Sequence, residues 1–78
     1  MDINELISRR VRTLREERGF SLATLAELSG VGRSTISLIE RGESSATATV
    51  LDKLATALGV PLAALFEPLA AQGITLRL

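Results

Sequence analysis

Arg33, Ser34, Ser37 and Arg41 recur at helical spacing, so a helix over this stretch gathers two guanidinium groups and two hydroxyls on one side. Such a set recognises and does not transform: guanidinium presents a fixed fork of donors that fits guanine edges and phosphates, and a serine hydroxyl both donates and accepts. Other chemistry lacks its residues. The chain has no cysteine, no histidine and no tyrosine. It also has no phosphate-cradling glycine loop and no carboxylates clustered at ligand spacing. No general base, nucleophile, metal site or cofactor is therefore expected, and the chain does not read as an enzyme.

The segment that must position these side chains is GFSLATLAELSGVGRSTISLIERG, residues 19–42. Ser21 is placed to cap a helix whose Leu22, Leu25, Ala26 and Leu28 fall on one side. Gly30 supplies a turn that side-chain-bearing residues resist. A second helix begins after Gly32, buries Ile36 and Ile39, and is stopped by Gly42. Two short amphipathic helices joined by a tight turn make a helix-turn-helix. A polar outer face with a cation at its start suits the major groove of B-DNA.

The flanking sequence predicts three further helices. The first runs from Ile3 to Arg18, with Asp2 and Glu5 as a capping box and Ile3, Leu6, Ile7, Val11 and Leu14 as its buried stripe. After a loop through Glu43, Ser44, Ser45 and Ala46, Thr47 caps a helix from Ala48 to Leu58 that turns Val50, Leu51, Leu54 and Leu58 inward. Gly59 closes it, and Pro61 opens a fifth helix to Phe66, whose Leu62, Leu65 and Phe66 cover the rest of the core. From Glu67 the pattern changes: Pro68 and Gly73 interrupt, and Ile74 to Leu78 alternate as a strand would. The expectation is an all-α, compact five-helix domain over residues 1–66 followed by an extended tail, 67–78. That tail reads as a strand pairing with its copy across a dimer axis, as the start of a second domain, or as a frayed end.

A chain of 78 residues makes one domain and buries only about 60% of its unfolded surface, so it needs tight helix packing or a partner. Net charge is zero, which predicts weak general attraction to phosphate and reliance on fitted contacts. Distribution matters more than the sum: Arg9, Arg10, Arg12, Arg15 and Arg18 crowd the first helix, and Arg33 and Arg41 bracket the recognition helix. No apolar run approaches the roughly 20 residues of a membrane span, and MDINELISRR has no signal-peptide core. A cytoplasmic, nucleoid-associated protein with no membrane partner is expected.

Residues 6–66 resemble the phage-repressor type of helix-turn-helix, the Xre or Cro-like family. The likeness is carried by Leu25-Ala26, the Ser29-Gly30-Val31 turn, Ile36, the Ile39-Glu40-Arg41-Gly42 terminus and the Leu58-Gly59-Val60-Pro61 corner. The resemblance implies a lambda-repressor-like fold and a DNA-binding regulator such as a repressor. It puts Arg33, Ser34, Ser37 and Leu38 at base-reading positions, with Arg33 on guanine and Leu38 against a thymine methyl. It implies phosphate contacts from Ser21, Thr24, Thr35, Arg41, the Ser44 and Ser45 loop, and Arg9 or Arg12. It also implies a structural ion pair between Arg15 and Glu40. The chain departs from the pattern at Leu22, where many members place a phosphate-binding Gln. Many relatives of this type carry a C-terminal cupin sensing domain, so a small-molecule effector is expected only if such a domain accompanies this one.

One recognition helix reads a few base pairs, so useful specificity implies a homodimer on half-sites about 34 Å apart and a pseudopalindromic operator. Leu62, Leu65, Phe66, Leu69, Ile74, Leu76 and Leu78 are the candidate dimer interface. The competing reading is a helix-turn-helix protein-interaction module, or an antitoxin whose main partner is another protein.

Overall fold

The computed structural model describes residues 2–66, and among these the fold is entirely helical. Four α-helices follow in order, α1 Ile3–Glu17, α2 Leu22–Ser29, α3 Arg33–Glu40 and α4 Ala48–Leu58, and a 3-10 helix, Leu62–Phe66, stands where a fifth α-helix was expected. Each boundary is set by local chemistry. Asp2 accepts from the Glu5 N–H at 2.9 Å, Ser21 from Thr24 at 3.0 Å, and Thr47 from Val50 at 3.2 Å, each satisfying an otherwise orphaned first-turn donor. The Asp2 cap is thus present at the expected position. At Gly30 and Gly59 the backbone takes φ of 75°, the left-handed turn that ends α2 and α4.

Helix α1 packs against α3 and the 3-10 helix, while α2 lies against α3 and α4. Val11, Leu25, Ile36, Leu54, Leu58 and Leu65 meet in the centre as the largest fully buried side chains. Every helix contributes to this one core, so α3 cannot shift without disturbing its packing against α1 and α2.

Three expectations about burial are corrected. Ile3 and Leu28, assigned to buried stripes, are 53% and 56% exposed. Ile3 lies in the first turn of α1, at the right direction around the axis, so angle alone does not bury it. Leu28 lies about 60° from Leu25, on the side away from Ala26 and Leu22, at roughly 100° of rotation per residue. Conversely Arg10, counted with the surface cations, is only 4% exposed; its Nε–H donates to the Ala64 carbonyl at 2.9 Å and fastens the 3-10 helix to α1.

Candidate nucleic-acid interface

Helix α3 buries Ile36, Ile39 and Glu40 and turns the rest of its surface outward. At about 100° per residue, Ser34, Leu38 and Arg41 stand opposite the Ile36–Ile39 edge, Arg33 and Ser37 flank them on the Glu40 side, and Thr35 lies on the other flank. Arg33, Ser34, Thr35 and Arg41 are exposed, Ser37 is half-buried, and Leu38 is 36% exposed. The α3 N-cap is Gly32, which brings no side-chain cap, so the first-turn N–H groups of α3 have no side-chain acceptor at the cap. The face thus offers donors, hydroxyls and one apolar side chain in a strip a helix width across.

What holds this face in place is a cluster of charge behind it. Glu40, with its side chain 4% exposed, accepts from Arg15 Nε at 2.8 Å and Arg15 Nη2 at 3.0 Å, the bidentate geometry of a strong pair. The third arm of the same guanidinium, Nη1, donates to the Phe20 carbonyl at 2.9 Å, directly before the Ser21 cap of α2. One side chain on α1 therefore fixes the end of α3 and the entry to α2 together. The Glu40 hydrogen bond holds the Arg15 guanidinium above its ordinary range, outweighing the opposing effect of burial. Arg12 Nε adds a looser contact to Glu40 Oε1 at 3.7 Å with half of its side chain in solvent.

The remaining candidates are spread around this centre. Ser21 and Thr24 share a hydroxyl contact of 3.0 Å on the exposed edge of α2. Of the two α1 arginines with interchangeable roles by periodicity, Arg12 stands beside α3 through Glu40, whereas exposed Arg9 has no contact with it. Arg41 lies 3.8 Å from Glu43, and Ser44 is half-buried. Among the interface candidates, Leu65 is corrected: it is 0% exposed and belongs to the core, while Leu62, in line with it one 3-10 turn earlier, is half-buried, and Phe66, expected to cover the core, is 37% exposed. Leu69, Ile74, Leu76 and Leu78 lie outside the described residues. The sequence reading passed over Asn4, whose Nδ2 donates to Ser45 Oγ at 3.1 Å; a contact spanning 41 positions leaves no local pattern to find.

A helix-turn-helix family model, HTH_3, matches residues 11–65. The chain belongs to that family, of the Xre and Cro-like type. Its helix-turn-helix is 40% identical over 67 residues to the HTH-type transcriptional regulator SutR of Escherichia coli, covering 86% of this chain and 38% of SutR. It is 41% identical to the control protein C.SmaI of Serratia marcescens, covering 74% of this chain and 69% of that protein. Among solved structures, the restriction-modification controller protein C.AhdI of Aeromonas hydrophila superposes with a TM-score of 0.78 at 40% identity, over 81% of this chain and 96% of that one. The hypothetical transcription factor NHTF from Neisseria gives 0.90 at 27% identity, over 95% and 85%. This helix-turn-helix chain spans little more than a third of SutR, so the match concerns that part of SutR alone. The family is one of DNA-binding transcriptional regulators. Among the described residues, no helix is long and apolar enough to cross a membrane.

Proposed function

We propose that this chain is a sequence-specific transcriptional regulator that binds a pseudopalindromic operator as a homodimer, with α3 in the major groove. The observation that carries this reading is the two-sided character of α3: an outer face of Arg33, Ser34, Ser37 and Leu38, backed by Glu40 locked to Arg15. Arg33 reads guanine, the two serines and Leu38 read or touch neighbouring base edges, and Ser21, Thr24, Thr35, Ser44, Arg41, Arg12 and Arg9 set the helix against the phosphates. Residues 1–66 form the DNA-binding domain, and residues 67–78 extend the dimer contact or lead into a further domain. The dimer contact uses Leu62 and Phe66 among the described residues.

Selection of sites from a random duplex pool at near-physiological salt tests this directly. A palindromic consensus is expected, and Arg33→Ala is expected to cost about 1 to 3 kcal/mol and relax preference at one base position per half-site. An unchanged consensus and affinity in Arg33→Ala refutes the assignment of that residue. Absence of enrichment by the wild-type chain refutes the DNA reading and favours the protein-interaction module.

A further inference from the structure

Arg10 places a cation where a core usually holds an apolar side chain. It is 4% exposed, and its Nε–H donates to the Ala64 carbonyl at 2.9 Å. Taking a guanidinium out of water is unfavourable, and a well-packed apolar residue in such a place is often as stable or more so, so stability alone does not account for it. What the guanidinium adds is direction. Ala64 and Leu65 hold the 3-10 helix to the core by apolar burial, which has no preferred angle, whereas a hydrogen bond weakens steeply as it bends. Among the described residues, this is the one side-chain hydrogen bond that reaches the 3-10 helix from another element.

The position of Arg10 gives that direction a use. Ala64 stands midway between Leu62 and Phe66, about 4 Å along the axis from each at roughly 2 Å per residue. Further along α1, Arg15 grips Glu40 at the end of α3 and the Phe20 carbonyl before α2. Arg10 and Arg15 belong to one unbroken helix and lie about 7.5 Å apart along its axis and about 140° apart around it. Helix α1 is therefore a strut, with the reading helix held on one side and the segment bearing Leu62 and Phe66 held on another.

We infer that Arg10 is a positioning residue for half-site spacing: by fixing the 3-10 helix to α1, it sets the angle between the dimer contact and α3, and so the separation of the two recognition helices. This rests on the homodimer reading above and deepens it. A change of one base pair in spacing moves a half-site by about 3.4 Å and rotates it by about 35°, so a dimer accepts the change only if the joint between its contact and its reading helix yields.

The test is selection from a random duplex pool by the full chain, with both the half-site and the spacing between its two copies taken from the enriched sequences. The wild type is expected to favour one spacing at least about tenfold over those one base pair longer or shorter, and Arg10→Met to keep the half-site while lowering that preference to about threefold or less. Arg10→Gln puts an amide N–H donor at the Nε position and is expected to restore the single spacing. Helical circular dichroism and sedimentation of each variant are expected to show a folded dimer. Several spacings in the wild type, an unchanged single spacing in Arg10→Met, or a loss in Arg10→Gln equal to that in Arg10→Met overturns the inference and leaves the DNA reading intact. Unfolding of Arg10→Met, or a fall in its sedimenting mass to that of a monomer, makes Arg10 a structural residue and overturns its positioning role. Enrichment of lone half-sites by the wild type overturns the homodimer reading together with the inference, and no enrichment at all overturns the DNA reading as well.

Discussion

Replacing Arg15 by Met keeps the aliphatic stem and removes the guanidinium, which isolates what the charge does. Glu40 is then left with its side chain 4% exposed and without its bidentate partner, retaining only Arg12 at 3.7 Å. Removing one member of a buried pair costs about 3 to 5 kcal/mol, because the remaining charge stays desolvated. Arg15 is itself 15% exposed and Arg12 offers part of the lost compensation, so the lower end, about 3 kcal/mol, is the appropriate figure, and it includes the Phe20 carbonyl left unbonded. A domain of this size has about 4 to 12 kcal/mol of stability in total, and each kcal/mol moves the midpoint by about 4 to 8 °C. Urea unfolding followed by helical circular dichroism is therefore expected to show a large drop in midpoint with little change in slope. The partner variant Glu40→Leu in the Arg15→Met background removes the stranded charge and is expected to recover at least about 1 kcal/mol relative to Arg15→Met alone. A loss below about 1 kcal/mol for Arg15→Met, or a double variant equal to the sum of the singles, places the pair among surface ion pairs and refutes the argument.

Leu65→Ala is expected to destabilise the folded chain by about 2 to 5 kcal/mol in the same denaturation assay, while Phe66→Ala lowers the sedimenting mass and leaves unfolding of the monomer largely unchanged. Ser21→Ala removes the α2 cap and is expected to cost about 1 kcal/mol, with a further loss of duplex affinity measured by anisotropy if the hydroxyl also meets phosphate. Gly30→Ala meets no atom within 4 Å of the added carbon, so its cost is the left-handed backbone alone, about 1 to 2 kcal/mol; a larger drop in thermal midpoint contradicts the open space at that turn.

The helix ends were legible because caps act over three or four residues: Asp2, Ser21 and Thr47 accept where the sequence placed them, and Gly30 and Gly59 turn where they were expected to turn. The inward positions of α3 were legible for the same reason, since Ile36 and Ile39 repeat at the period of the helix. Burial that depends on a neighbour's height was not legible. Ile3 and Leu28 have the right residue type and face no cover, while Arg10 has the wrong type for a core and is covered because Ala64 comes to meet it. The 3-10 geometry of Leu62–Phe66 was not legible either, because a composition of Leu and Ala does not separate a 3-10 turn from an α-helical one. Asn4 and Ser45 meet only because the start of α1 and the loop after α3 come together in the fold.

Arg33, Ser34 and Leu38 make no side-chain hydrogen bond or ion pair with any described residue, while the helix that carries them is held from behind by Arg15, Glu40, Ile36 and Ile39. Duties are thereby divided: one edge of α3 answers to the fold and the other answers only to what it meets. Substitutions on the outer edge are within about 0.5 kcal/mol of neutral for stability, so these three positions can be randomised together without first stabilising the scaffold. A library confined to them samples altered recognition almost independently of folding, which makes the chain a small, cysteine-free starting point for redirecting a binding preference.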